Sequence, residues 1–342
     1  MNYRRLGNSG LFVSEICFGV MSFTGSRGWT HIAKTNQQEA DELTGVAIDN
    51  GVNFFDTADV YSNGVSEIML GKALGKKRKD VVIATKFGFR MENGPNGDGL
   101  SRKRIIEACD ASLKRLGTDY IDLYQIHSND FITPIEESIS TLDSLVKQGK
   151  VRYIGFSNYY AWQIMKMQAI ADKNNYEKFI SNQAYYSLLG RDLEYEQIDV
   201  CLDQGIGIII WGPLHGGFLS GKYRDEKRWP KNSRIKKVAD LRPFEREKGE
   251  KIFDVADQIA RDRKVSIAQV SLNYLLRKKG VTAVIIGATN KKQLLENINT
   301  SNWQLNIDEM KLLNNVSEPQ KIYPQWYFDI YRKTQLEKGQ HQ

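Results

Sequence analysis

The sequence predicts an α/β protein, and within that class a (β/α)8 TIM barrel. Three observations point there. Eight short apolar runs are spaced along the 342 residues, each followed by an amphipathic helical stretch, the pattern of parallel strands joined by crossover helices. No Gly-x-Gly-x-x-Gly follows the first run, which counts against the alternative, a doubly wound open sheet. Polar or aromatic residues stand where the second to seventh runs end, and barrel enzymes gather their chemistry at those strand ends.

The elements follow in order. YRRLGNSGLFVSEI alternates around a Gly-Asn-Ser-Gly turn and predicts an N-terminal β-hairpin plugging one barrel end. Strands are expected at 15–18, 53–56, 81–86, 121–127, 151–157, 180–183, 207–211 and 284–287. Helical periodicity covers 37–50, 67–74, 103–116, 134–148, 161–174, 194–204 and 247–263, with a last pair at 267–278 and 292–299. The basic, aperiodic segment 219–245 suits a lid. The glycine-rich loop 88–100 suits a change of shape on binding. A C-terminal tail carries IYPQWYFDIY, whose aromatics are expected to pack on the barrel. No stretch is rich enough in Pro, Gly or Ser to separate domains, so 1–342 reads as a single barrel domain.

Composition narrows the class. The net charge is +7, but the basic residues are scattered among acids, apart from short clusters such as Lys76-Lys77-Arg78-Lys79. That is a solvated surface favouring small anions, with no nucleic-acid partner expected. The three cysteines, Cys17, Cys109 and Cys201, are far apart in apolar settings and read as free thiols of a reducing compartment. The four histidines lack ligand spacing, so no metal site is expected. The start lacks an apolar signal region, and the longest apolar run, 205–214, is too short to span a bilayer. A cytoplasmic protein without a membrane partner is expected; an oligomer is possible.

The strand ends carry the chemistry. Asp56 closes NFFD and Tyr61 follows in its loop; Lys86 closes VVIATK, and His127 closes IDLYQIH. A buried lysine needs a counter-charge, which Asp56 supplies. Its ammonium beside a phenol favours the phenolate and brings the proton within reach of working pH. A tyrosine so placed can give a proton to a carbonyl oxygen or take one from an alcohol, while His127 orients that oxygen. Taken singly, a strand-end Asp caps turns, a loop tyrosine packs, and a histidine is more often structural. The constellation outweighs those readings because all four fit one proton relay.

At this point the chain resembles the aldo-keto reductase family over nearly its whole length. The motifs are NFFDTADVYSNGVSE, VVIATKFG and SLKRLGTDYIDLYQIHSND. The resemblance implies reduction of aldehydes or ketones with a nicotinamide cofactor, with Asp56, Tyr61, Lys86 and His127 as the catalytic tetrad. The end of the Trp211 strand and GFLSGKYR are most similar to the branch holding aryl-alcohol dehydrogenases, bacterial general reductases and potassium-channel beta subunits. Ser157, Asn158 and Gln183 are implied to hold the nicotinamide carboxamide, and Trp211 to stack on its ring. WGPLHGGFLSGK departs from the commoner Ser-Pro-Leu form by having Gly212 before Pro213. The pyrophosphate is then left to the amides of Leu214 and Gly216, with Lys222. IIGATNKKQLLENI resembles the adenosine motif: Gly287 and Thr289 precede a helix start suited to phosphate, and Gln293, Glu296 and Asn297 flank the adenine. Arg234 matches a basic residue of the lid. With Lys291 and Lys292 it implies NADP(H) as the cofactor.

Three functions follow. The first is an NADP(H)-dependent oxidoreductase acting on a small carbonyl substrate. The alternative is a cofactor-binding, redox-sensing regulatory subunit with slow turnover. The third makes Lys86 a Schiff-base lysine, but Asp56 beside it would keep the amine protonated. Phe23, Trp29, Phe89, Tyr159 and Trp326 suggest an aromatic rim and an apolar or aromatic carbonyl substrate, with sugars as the alternative through stacking.

Overall fold

The structure is a computed structural model and describes residues 1–24, 35–222 and 244–339. Its centre is a closed barrel of eight parallel strands. A separate antiparallel hairpin precedes it, made of β1 (Tyr3–Arg5) and β2 (Phe12–Ser14). The barrel begins with β3 (Ile16–Gly19) and continues through β4 (Phe54–Asp56), β5 (Val82–Phe87) and β6 (Ile121–Ile126). It closes through β7 (Val151–Ser157), β8 (Ser181–Tyr185), β9 (Gly207–Trp211) and β10 (Val281–Ile286). Each strand pairs with the next, and β10 returns to β3. The helices outside are α1 (Gln37–Asp49), α2 (Val65–Leu74), α3 (Arg102–Leu116), α4 (Ile135–Lys147) and α5 (Ala161–Asn174). They continue with α6 (Gln197–Asp203), α7 (Arg246–Arg263), α8 (Ile267–Leu276) and α9 (Lys291–Ile298).

Strand parity sorts the side chains into two cores. Phe54, Val82, Ala84, Leu123, Ile209 and Ala283 fill the barrel with Cys17, and Leu6 and Val13 of the hairpin join them. Phe55, Ile83, Phe87, Tyr124 and Ile126, the alternate residues, pack outward against the helices. The hairpin therefore seals the end of the barrel where strands begin. Gly7 lies there at φ 58°, and a Cβ on it would meet the Gly205 carbonyl oxygen at 2.4 Å, so only glycine lets the turn sit that close. The opposite mouth is left for chemistry.

Several boundaries differ from the sequence reading. β10 starts at Val281, three residues earlier than expected, because a register shift between Val281 and Ala283 breaks its alternation. β8 runs on to Tyr185, which puts Gln183 inside the strand. The helix expected from 194 is a short 3-10 turn, Asp192–Glu194, followed by α6. There Glu194 is held by Arg191 and by the Tyr186 hydroxyl. Two helices were not expected: α10 (Ile307–Val316) and α11 (Gln325–Gly339). α10 docks through buried Leu313 and an Arg263–Glu309 ion pair. The tail aromatics do not pack on the barrel as expected: Tyr323, Trp326, Tyr327, Phe328 and Tyr331 are all exposed. Of the expected lid, 223–243 lies outside the described residues, and so do Arg234 and Trp29.

Candidate active site

The mouth is built by the same parity. On β5 the inward row is Val82, Ala84, Lys86, so the lysine continues the row that fills the barrel and rises towards the mouth. On β4 the inward row is Phe54, Asp56, and Asp56 is the register partner of Ala84. Lys86 Nζ thus donates to Asp56 Oδ1 at 2.7 Å, to the Thr57 carbonyl at 2.7 Å and to Tyr61 Oη at 3.3 Å. Its side chain is fully buried. Burial works against the ammonium, but Asp56 and then Tyr61 more than offset it and raise its proton affinity above that of a free lysine.

His127 follows β6 by one residue, and its amide donates to the Phe87 carbonyl. Its ring meets Tyr61 edge-on at 5.9 Å and lies 4.4 Å from the Phe89 ring. Burial, and then the Lys86 charge, hold the imidazole well below its usual pKa. It is therefore neutral in the physiological range. Among the described residues its Nδ1 has no hydrogen-bond partner. The four residues singled out in the sequence meet in one place.

Ser157, Asn158 and Gln183 line the neighbouring sector. The Ser157 hydroxyl donates to the Gln183 carbonyl at 2.6 Å, and Asn158 Nδ2 donates to the His127 carbonyl at 2.9 Å. Gln183 Nε2 donates to Asp56 Oδ2 at 2.6 Å. Asp56 is thus gripped from both sides, a contact between residues 127 apart that the sequence did not signal.

Trp211, half-buried at the end of β9, stands 5.2 Å from the Tyr185 ring. Gly212 (φ 67°), Gly216 (φ 65°) and Gly217 (φ 101°) follow around Pro213 and Leu214. Such left-handed turns gather amides into anion-binding concavities. Lys222 is exposed at the end of this stretch.

Just past the end of adjacent β10, a Cβ on Gly287 would meet nothing within 4 Å, so open space faces it. Thr289 is exposed, and its amide donates to Gln293 Oε1 at 3.2 Å, while Asn290 caps the Gln293 amide at 2.9 Å. Gln293 and Glu296 lie half-buried on α9, whereas Asn297 turns inward at 3% exposure. The left-handed turns after β9 and the open space beside Gly287 suit an anionic ligand, whereas the Thr289 and Gln293 amides are already bonded within the chain.

The expected rim is only partly there. Phe89 is exposed beside His127, but Phe23 and Tyr159 are buried and belong to the core. Exposed Phe131, Tyr160 and Trp162 instead border a groove of about 470 Å³ beside Tyr159. A buried ionic cluster was also missed. Glu67 on α2 accepts from Thr85 and Arg115, each at 2.6 Å, and Asp59 lies 3.5 Å from Arg104 Nη2 on α3. Asp59 and Glu67 flank Tyr61 within NFFDTADVYSNGVSE, so their place beside it was the available signal.

Comparison with known proteins gives the same direction. The model of the Aldo/keto reductase family matches residues 15–318. The chain is 37% identical to versiconal hemiacetal acetate reductase of Aspergillus parasiticus, over 95% of this chain and 99% of that protein. It is 36% identical to an uncharacterized oxidoreductase of Bacillus subtilis, over 92% and 96% of the two. It is 35% identical to a probable voltage-gated potassium channel subunit beta of Arabidopsis thaliana, over 87% and 90%. With the barrel closed and the family match spanning nearly all of it, the chain belongs to the aldo/keto reductase family of oxidoreductases.

Proposed function

We propose that this protein is an NADP(H)-dependent oxidoreductase that reduces the carbonyl of an aldehyde or ketone to an alcohol, with Tyr61 as general acid. The observation that carries this reading is Lys86, fully buried and bridging Asp56 Oδ1 at 2.7 Å and Tyr61 Oη at 3.3 Å. The bound cofactor supplies the hydride. Tyr61 then gives its proton to the carbonyl oxygen as negative charge grows there. The Lys86 ammonium stabilises the phenolate left behind, and Asp56 keeps that ammonium charged and in place. His127, neutral by burial, hydrogen-bonds the same oxygen without competing for its proton.

Gln183 Oε1, Ser157 and Asn158 hold the nicotinamide amide in this reading, and Trp211 backs its ring. Gly212, Pro213, Leu214, Gly216 and Lys222 take the pyrophosphate. Gly287, Thr289, Gln293 and Glu296 take the adenosine; Asn297, expected beside the adenine, is buried and does not share that role. The three separate buried thiols suit the cytoplasm, and 1–342 acts as one domain.

A second reading draws on the likeness to the channel subunit beta: a cofactor-binding regulator with slow turnover. A panel of aliphatic and aromatic aldehydes, followed by loss of NADPH absorbance, separates the two. Many turnovers per site support the enzyme. A burst of no more than one turnover on every carbonyl, with NADPH bound, contradicts it.

A further inference from the structure

We propose that Asp59 is a positioning residue for Tyr61: paired with Arg104 of α3, its carboxylate fixes the short segment that sets the phenol on Lys86. This rests on the proposed role of Tyr61. The segment between Asp56 and Tyr61 is tied to β5 through its backbone. The Thr57 amide donates to the Ala84 carbonyl at 2.9 Å, and the Asp59 amide to the Lys86 carbonyl at 3.0 Å. Tyr61 in turn donates its amide to the Ala58 carbonyl at 3.2 Å. The backbone of Asp59 therefore registers the segment against the residue carrying the catalytic ammonium. Its side chain is the segment's tie to α3.

That tie depends on charge. Asp59 is wholly buried and Arg104 nearly so, at 4% exposure. Among the described residues no side chain donates a hydrogen bond to either Asp59 oxygen, and the Val60 amide gives only the weakest of its stabilising contacts. The side chain that holds the carboxylate is Arg104, with Nη2 at 3.5 Å. Glu67, the other nearby acid, is already committed to Arg115 and Thr85. Asp59 is thus the acid left for Arg104, and a neutral Asp59 would leave a buried cation without its partner.

The charge is also poised to change. Burial first, then Glu67 of α2, push the Asp59 carboxyl up to about 7, against the pull of Arg104 and Arg115 of α3. The Tyr124 hydroxyl of β6 also feels the Asp59 charge, and burial holds it well above its usual pKa, so it remains neutral in that range. Protonation of Asp59 loosens Tyr61 from Lys86, so turnover falls as pH drops through about 7.

The test is the pH profile of kcat for NADPH-dependent aldehyde reduction in the wild type, Asp59→Asn, Arg104→Met and Tyr61→Phe, with NADPH affinity measured alongside. Asp59→Asn is expected to lose the acid-side limb and run flat, roughly tenfold to a hundredfold below the wild-type plateau, the worth of a small misplacement. Its NADPH affinity should be unchanged. Arg104→Met removes the other half of the tie, so it too should lose the acid-side limb and run flat below the wild-type plateau. A wild-type limb near pH 7 in either variant overturns the proposal. If Asp59→Asn does not fold, the profile of Arg104→Met decides alone. An active Tyr61→Phe would instead overturn the underlying reading of the site, whatever Asp59 does.

Discussion

Lys86 is a cation with no exposed surface, a state that burial alone opposes and that three oxygen contacts sustain. Replacing it with methionine should cut turnover by about 10²–10⁴, the usual worth of a tuned proton donor, as steady-state kinetics would read. Asp56→Asn should slow turnover less, because the ammonium remains. It should cost more in stability, about 3 kcal/mol or more in a denaturant titration, because a buried charge loses its partner. His127 gives a pH prediction. Its proton affinity is lowered by folding, so the unfolded chain binds the proton more tightly. Stability should then decline as pH falls below the ordinary histidine range of about 6.5, by up to about 1.4 kcal/mol per unit. A His127→Asn variant should lose that part of the slope in urea unfolding followed across pH. Asp56, Tyr61, Lys86 and His127 were legible because strand parity and strand ends leave a mark on the sequence. The Gln183–Asp56 bond and the Asp59–Arg104 pair were not, because contacts between distant segments leave no periodic trace.

At the scale of elements, α2 follows directly from the loop of Tyr61 and leans on α3. A Cβ on Gly71 would meet the Leu116 carbonyl oxygen at 2.3 Å, so the two helices approach as closely as they do because that residue is glycine. Gly71→Ala should separate them, destabilising the protein by about 1–3 kcal/mol as overpacking does, with a matching fall in Tm. Among the strands, β7 and β9 were read from the sequence with their ends in place, since each is an apolar run bounded by turn residues. β10 was misjudged at its start because its irregular register hides the alternation. α10 was overlooked although its signal was present: Asn306 and Glu309 form a capping box. The packing of the tail was misjudged for a different reason. Aromatic residues at helical spacing specify a face and not what covers it.

Over the whole molecule, a net charge of +7 favours anionic ligands, but the choice between two nicotinamide cofactors is local. Lys291 and Lys292 are exposed at the start of α9, within reach of a 2′-phosphate if adenosine lies along that helix. We expect NADPH to bind more tightly than NADH in a fluorescence titration, and the double change Lys291→Glu and Lys292→Glu to reduce that preference by about tenfold, 1.4 kcal/mol. Equal or tighter binding of NADH by the wild type would contradict the adenosine assignment while leaving the tetrad untouched. The central claim is that the barrel holds Lys86 where it makes Tyr61 a proton donor. Its most direct test is single-turnover oxidation of bound NADPH by a good aldehyde substrate, in the wild type and in Tyr61→Phe. The account predicts a fall of about 10²–10⁴ in the rate, with NADPH affinity changed by less than about tenfold, since in the proposed reading the phenol acts on the carbonyl and not on the cofactor. A Tyr61→Phe enzyme that binds NADPH and still transfers hydride at nearly the wild-type rate would contradict it.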